Sequence, residues 1–365
     1  MKKDSRIYIA GHRGMVGSAL ERILRSKGYN NIITRRRSEL DLTRQADIEK
    51  FFETEKPDYV FLAAAKVGGI LANSTYKAEF IYQNIMISSN IINSAYKSGV
   101  KKLLNLGSSC IYPKLAKQPM KEESLLSGSL EPTNEPYAVA KIAALKMCRY
   151  YNEQYGTNFI SVMPTNLYGP NDEFNLETAH VLPAIMRKFH LAKLLAEKAY
   201  DEIIRDIEKY PLGFGLDSKI EHNNKDSIMD VLAGLEINAD YVAMWGSGEA
   251  YREFMHVDEL AEACIFLMAS HNFKNIGEVL NIGIGEDIKI KDLAVLAKDI
   301  VGFKGDIKFD PSKPDGPPRK LLDVSRINRL GWQAEINLKD GIKKTYDWYC
   351  NTQTENNSLR LPVDS

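Results

Sequence analysis

Cysteine is scarce in this chain: the four residues Cys110, Cys148, Cys264 and Cys350 show neither the pairing pattern of a disulfide framework nor the spacing of metal ligands. The expectation is a metal-free protein of a reducing cytoplasm, with most of its thiols serving as small buried hydrophobes. Net charge is also missing. The 48 basic residues balance 48 acidic ones, which removes any global attraction to nucleic acid or to an anionic membrane, so a polyanion would have to be met by a local cluster. No stretch reaches the ~18 uncharged apolar residues of a membrane span. The first residues, Met1 to Arg6, run directly into a strand pattern without the apolar core and cleavage site of a secretory signal. Internal repeats and low-complexity segments are lacking as well.

What is present is a rhythm of strand and helix. Arg6 to Ala10, Asn31 to Thr34, Tyr59 to Ala65 and the strand ending near Ser108 alternate with helical stretches after Gly17, over 44–55 and over 76–98. Tyr59 to Ala65 is apolar on both faces, the mark of a central parallel strand. The rhythm predicts an α/β fold, a doubly wound Rossmann-type parallel sheet with a smaller C-terminal substrate domain. The expected division is 1–170 for the dinucleotide-binding part, with the chain returning near 250–283, then 171–350 for the substrate part and 351–365 for a loose tail. Further strands are expected over 158–163 and 278–283, helices over 137–155, 257–270 and 289–301, a loop leaving the sheet edge over 164–170, and a rigid proline-rich loop over 313–319. Between 191 and 240, Leu191, Leu194, Leu195, Ala199, Ile203, Ile204 and Ile207 recur at helical spacing, which reads more readily as core or interface than as a functional site.

Three motifs carry chemistry. Gly11, Gly14 and Gly17 follow the first strand at once. Such a triplet is either a tight strand-to-helix turn or a cradle that aims backbone N–H groups and a helix N-terminus at a pyrophosphate. After the second strand stand Arg35, Arg36 and Arg37, where a site for an unphosphorylated ribose would place an acid. They are either a solvated basic turn or, with Arg13, the cations that meet a 2′-phosphate. The third motif is Ser108 and Cys110, just past the carboxyl end of a buried strand, together with Tyr137 and Lys141. If the chain stays extended after Ser108, the hydroxyl and the thiol share a face. Of the 18 tyrosines, only Tyr137 has a lysine at the fourth position after it. On a helix that lysine stands over the phenol, and the expectation is that its charge lowers the tyrosine pKa.

These segments resemble the extended short-chain dehydrogenase/reductase family. The resemblance rests on Ile9 to Ser18, Ala63 to Ile70, Leu106 to Pro119, Glu131 to Tyr137, Met163 to Pro170 and Lys313 to Leu322. It implies NADP(H) as cofactor, held by Gly11, His12, Arg13, Gly14, Met15, Val16 and Gly17, and by Arg37, Asp41 and Leu42 on the adenosine side. Leu106, Gly107, Ser108, Ser109, Lys141, Pro164, Thr165, Asn166, Leu167 and His180 fall on the ribose and nicotinamide side. It implies a GDP-linked 4-keto sugar as substrate, bound by Lys188, Trp245, Arg252 and Asp315. The implied reaction is epimerisation at C3 and C5 of GDP-4-keto-6-deoxy-D-mannose and NADPH-dependent reduction at C4, giving GDP-L-fucose. Ser108, Cys110, Tyr137, Lys141 and His180 would be its catalytic residues. His180 taken alone would more often be a structural histidine. A homodimer built from the helices over 76–98 and 137–155 is also implied, with no nucleic-acid or membrane partner.

The link between His190 and Trp245 is longer than the resemblance leads one to expect. A larger GDP-4-keto sugar, such as a GDP-heptose, is therefore the alternative substrate, with C4 reduction alone as the alternative reaction. A non-catalytic NADP-binding sensor is the third reading, and the presence of both Tyr137 and Lys141 weighs against it.

Overall fold

A computed structural model describes residues 1–354 apart from 223 and 314. The chain opens with β1 (Ile7–Ala10), α1 (Met15–Ser26), β2 (Ile32–Ile33), α2 (Gln45–Glu55), β3 (Tyr59–Leu62), α3 (Ile70–Thr75), α4 (Lys77–Lys97) and β4 (Lys102–Leu106). It continues with α5 (Glu135–Tyr155), β5 (Phe159–Pro164) and β6 (Asn166–Tyr168). α5 starts with Pro136 in its first turn and stops at Gly156, which adopts φ +68°. A proline at the start and a left-handed glycine at the end bound it.

Next come α6 (Val181–Ala196), α7 (Tyr200–Lys209), α8 (Lys225–Gly234), β7 (Tyr241–Trp245), β8 (Tyr251–Arg252), β9 (Phe254–His256), α9 (Val257–Ser270), α10 (Phe273–Ile276) and β10 (Leu280–Ile282). The chain closes with β11 (Ile288–Lys289), α11 (Ile290–Val301), β12 (Asp306–Asp310), β13 (Arg319–Lys320), α12 (Ser325–Arg329) and α13 (Leu338–Thr354).

The main sheet has six strands in the order β10-β5-β4-β3-β1-β2, all parallel. Its last strand, β10, comes from the returning chain. One face is covered by α1 and α9, where Leu20, Leu24, Leu260 and Leu267 meet Ile7, Ile9 and Leu104. The other is covered by α2, α4 and α5, where Phe52, Ile91, Ile92 and Cys148 meet Tyr8, Val60 and Leu103. Strand order reverses between β1 and β3, and in a sheet of this kind the crevice at that point is where ligands bind. A second core gathers α6, α7, α8, α11 and α13 around Phe189, Ile203, Leu232 and Phe303.

Three expectations are corrected by the structure. The apolar series from Leu191 to Ile207 is two helices, because the chain turns at Glu197 to Ala199 with Lys198 at φ +56°. The residues after Met163 are not wholly loop, since Asn166 to Tyr168 pair with Phe254 to His256. Ser108 does not continue an extended strand into Cys110: a short 3-10 turn, Ser109–Ile111, follows it directly. Of the expected tail, 355–365 lies outside the described residues.

Candidate active site

The glycine loop explains itself by close approach. Gly11 holds φ +85°, and a Cβ there would stand 2.7 Å from the backbone nitrogen of Ala64 on the neighbouring strand end. At Gly17 a Cβ would run into the carbonyl of Gly11. The loop therefore lies flat against the first turn of α1, which has no side-chain cap and no acid in its first turn. The free N–H groups and the dipole of that end suit an anion. Met15 and Val16 form the first helical turn, and His12 in the loop has its Nδ1 buried without a hydrogen-bond partner. Burial holds the His12 imidazole below its ordinary pKa.

Of the arginines, Arg35 is committed to Glu55, together with Arg6. Arg13, Arg36 and Arg37 are exposed and carry no ion pair among the described residues. Asp41 accepts from the backbone and hydroxyl of Thr43 at 2.9 and 2.8 Å, which lowers its pKa. The Leu42 carbonyl is bound by Asn90 at 3.1 Å, which fixes the loop these residues share.

At the end of β4, Gly107 packs so tightly on Met163 that no side chain fits there. The Ser108 hydroxyl caps the following turn by accepting from the Cys110 N–H at 3.4 Å. Hydroxyl and thiol are thus brought together by a turn rather than by strand alternation. Ser109 is buried, and the Leu106 carbonyl accepts from Lys141 Nζ at 2.7 Å. Across the sheet, the Thr165 N–H donates to Ile282, while Thr165 Oγ1 and Asn166 Nδ2 donate to the Glu253 carbonyl at 3.3 and 2.7 Å. Pro164 to Leu167 are thereby pinned at the carboxyl end of β5.

The expected pKa of Tyr137 is overturned. Burial raises the phenol well above its ordinary value, and the neighbouring Cys110 raises it further. Lys141 stands 5.6 Å from the ring centre but turns its ammonium to Leu106, and burial lowers its own pKa to about 8. In this enclosed site desolvation outweighs the lysine's field. Burial also raises the Cys110 thiol, opposed in part by Lys320, by the hydrogen bond with Ser108 and by Lys141.

His180 lies just ahead of α6 as its N-cap residue. Its side chain is open to solvent yet set in a recess, and the surrounding protein, followed by the charge of Lys320, disfavours the imidazolium. Tyr137 and Lys141 thus feel the charge of Cys110, while Lys320 acts on both Cys110 and His180. Lys320, on β13, is the residue that sequence reasoning missed. The only signal for it was its place at the end of the proline-rich loop, and nothing in its spacing separates it from the other basic residues. Glu253 was missed too: its buried carboxylate accepts from the backbone N–H groups of Ile284, Gly285 and Leu322 at 2.7, 2.8 and 3.0 Å and so anchors β13.

Of the expected substrate residues, three gather at one rim. Trp245 is 66% exposed. The turn after it is held by Asp315, which accepts from the Ser247 N–H and hydroxyl at 2.9 and 2.7 Å. Arg252 donates to the Pro317 carbonyl at 2.6 Å, and burial, offset by Asp315, lowers its pKa. Lys188 is tied down differently. Its Nζ donates to the carbonyls of Leu235 and Ala243 at 3.0 and 3.2 Å, and burial lowers its pKa to about 8. Among the described residues no cluster of histidine, cysteine and acids could hold a metal, and no helix is long and apolar enough to cross a membrane.

The sequence profile of the NAD dependent epimerase/dehydratase family matches residues 7–206 and 215–283. The chain is 50% identical to GDP-L-fucose synthase 1 of Arabidopsis thaliana over 347 residues, 95% of this chain and 94% of that protein. It is 48% identical to the GDP-L-fucose synthase of Escherichia coli K12 over 354 residues, 95% of this chain and 97% of that one. Among solved structures it is similar to a GDP-D-glycero-L-gluco-heptose synthase from Campylobacter jejuni in the presence of NADPH, with TM-score 0.88 and 42% identity over 96% of this chain and 99% of that one. A six-stranded parallel sheet with a glycine cradle at its switch point, matched by that profile over most of its length, makes this chain a member of the NAD dependent epimerase/dehydratase family.

Proposed function

We propose that this protein is an NADPH-dependent epimerase and reductase that converts GDP-4-keto-6-deoxy-D-mannose to GDP-L-fucose. The observation that carries the reading is the turn at the end of β4, where Ser108 caps Cys110 and Lys141, one helical turn after Tyr137, donates to the Leu106 carbonyl, beside a glycine cradle at the switch point. Relatives near 50% identity over almost the whole chain bear the name GDP-L-fucose synthase.

The residues fit a phosphorylated dinucleotide. The uncapped end of α1 suits its pyrophosphate, and the exposed Arg13 and Arg37 suit a 2′-phosphate. When bound, NADPH supplies the hydride for the C4 ketone. Lys141 holds the end of β4 in place for the ribose side through Leu106.

Both C3 and C5 flank the ketone, so loss of a proton from either leaves an enolate with its charge on the C4 oxygen. Ser108 and Tyr137 are donors that would stabilise that oxygen. Inversion needs one group to take a proton from carbon and a second to return one to the opposite face, and Cys110 and His180 fill these roles. Tyr137, kept protonated by burial, then delivers the proton that accompanies reduction.

The insertion-bearing second core and the heptose-linked structural relative favour one further reading, a GDP-linked 4-keto heptose as substrate. Assembly as a homodimer is supported by α4 and α5, which lie side by side and expose Tyr82, Val139, Tyr150 and Tyr155. A cytoplasmic location accords with four free cysteines.

The test is turnover of GDP-4-keto-6-deoxy-D-mannose with NADPH in deuterated water, read by NMR. GDP-L-fucose carrying deuterium at C3 and C5 is expected. Reduction without ring deuterium would leave a plain C4 reductase, and turnover of the 4-keto heptose alone would move the substrate to the second reading.

A further inference from the structure

The stretch from Glu197 to Asp240 has no part in the chemistry above, yet it touches the segment that delivers His180. That segment, 174–179, is gripped from two sides. On one side the Gly69 N–H donates to the Thr178 carbonyl at 3.1 Å, and a Cβ on Gly69 would press on the carbonyls of Thr178 and Ala179 at 3.1 and 3.2 Å. On the other lies the turn Pro211 to Phe214. Its Phe214 N–H donates to Glu177 Oε2 at 2.6 Å. A Cβ on Gly213 would come within 2.6 Å of Asn175 Oδ1 and of Glu177 Cβ. Arg187 closes the join by donating from one nitrogen to the carbonyls of Phe174 and Pro211, at 2.8 and 2.9 Å.

The turn is itself rigid. Gly213 and Phe214 both adopt positive φ, +83° and +55°, and Asp217 accepts from the N–H groups of Leu212 and Gly213 at 2.7 and 3.1 Å. The family match passes from residue 206 to residue 215 and leaves this turn out. The turn thus lies between the two stretches that the family profile matches, behind a segment that the profile covers.

We propose that the turn Pro211 to Phe214 is the rear support of the loop presenting His180, and that Glu177 is the positioning residue through which it acts. The proposal rests on the reading of His180 as one of the two proton carriers. A carboxylate that clamps a backbone N–H three residues before the histidine fixes where the imidazole enters the recess. Reaction geometry is sensitive to small displacements, so losing the clamp should cost far more in proton transfer than in binding.

The experiment compares Glu177→Ala, which removes the acceptor, with Glu177→Gln, whose amide oxygen can still receive the Phe214 N–H. Deuterium uptake from solvent into the sugar is measured alongside NADPH affinity, and the His180 ring is titrated by NMR, its signal assigned by its loss in His180→Gln. Uptake in Glu177→Ala should fall by about tenfold to a hundredfold, Glu177→Gln should restore most of it, and NADPH affinity should hold. The His180 titration in Glu177→Ala should move toward that of a free imidazole. An unchanged titration overturns the proposal, as does equal impairment of both variants. The titration needs no turnover. If His180→Gln leaves uptake intact, the catalytic reading of His180 fails separately, and the titration still decides whether Glu177 positions the ring.

Discussion

Lys141 reaches past Tyr137 to the Leu106 carbonyl, donating from Nζ at 2.7 Å while standing 5.6 Å from the centre of the phenol ring. The contact ties α5 to the end of β4, and with it the tyrosine to the turn that carries Ser108 and Cys110. Burial brings the lysine pKa down to about 8, so its charge is present below that pH and lost as pH rises through it. Lys141→Met should slow C4 reduction by about a hundredfold or more, in the range of a lost acid–base partner. It should also abolish the fall in rate above pH 8. A variant that keeps that limb would assign it to another group.

Lys320 acts on two titrations in one sense. Its positive charge favours the Cys110 thiolate and disfavours the His180 imidazolium, so it lowers both pKa values. Burial dominates each: it pushes the thiol up and the imidazole down. With the neutral imidazole taking the proton and the thiol returning one, wild-type deuterium uptake should therefore run over a plateau wider than the interval between the ordinary values of the two groups. Lys320→Met removes a positive charge that lowers both and should shift both edges of the plateau to higher pH. If the edges stay fixed while the rate falls, Lys320 serves only to bind substrate.

The exposed Arg13 and Arg37 predict cofactor choice. A charge-assisted contact to phosphate contributes ~1.5–3 kcal/mol, so replacing Arg37 by Ser should weaken NADPH binding by about tenfold to a hundredfold. NADH binding should be unchanged, because it has no 2′-phosphate to lose. Equal losses for both cofactors in a titration of cofactor fluorescence would count against the assignment.

How far the sequence carried differs between fold and site. β3 and β4 were readable because strands buried on both faces cannot alternate with polar residues. α9 was read to its boundaries, Val257–Ser270, since apolar periodicity runs its full length. The short strands β8, β11 and β13, of two residues each, carry no period at all. Lys320 was hidden for that reason, since its role comes from β8 and β13 lying side by side, a register that only the folded chain defines. The break at Lys198 was equally hidden, because the apolar series stays in phase across it. The pKa of Tyr137 was misjudged because the spacing of Tyr137 and Lys141 tells which groups are near but not how much water remains between them.

The pair Arg187 and Asp206 gives the last prediction. Both side chains are fully buried, with Arg187 Nε donating to Asp206 at 2.9 Å. The Tyr349 hydroxyl also bonds Asp206, which brings α13 to the same point. Arg187 further donates to the carbonyls of Phe174, Tyr210 and Pro211. Removing the acid leaves a guanidinium in the core with its carbonyl partners but no counter-charge, and breaking a buried pair in this way costs about 3–5 kcal/mol. Asp206→Ala should lose that much stability in urea denaturation. Asp206→Asn keeps an oxygen for Arg187 and Tyr349 and should lose less. Because the same arginine joins 174 to 211, Asp206→Ala should also loosen the Pro211 turn, raising amide exchange there before the six-stranded sheet opens. Uniform exchange across the chain, or a loss in stability below about 1 kcal/mol, would show that the second core holds the turn without this pair.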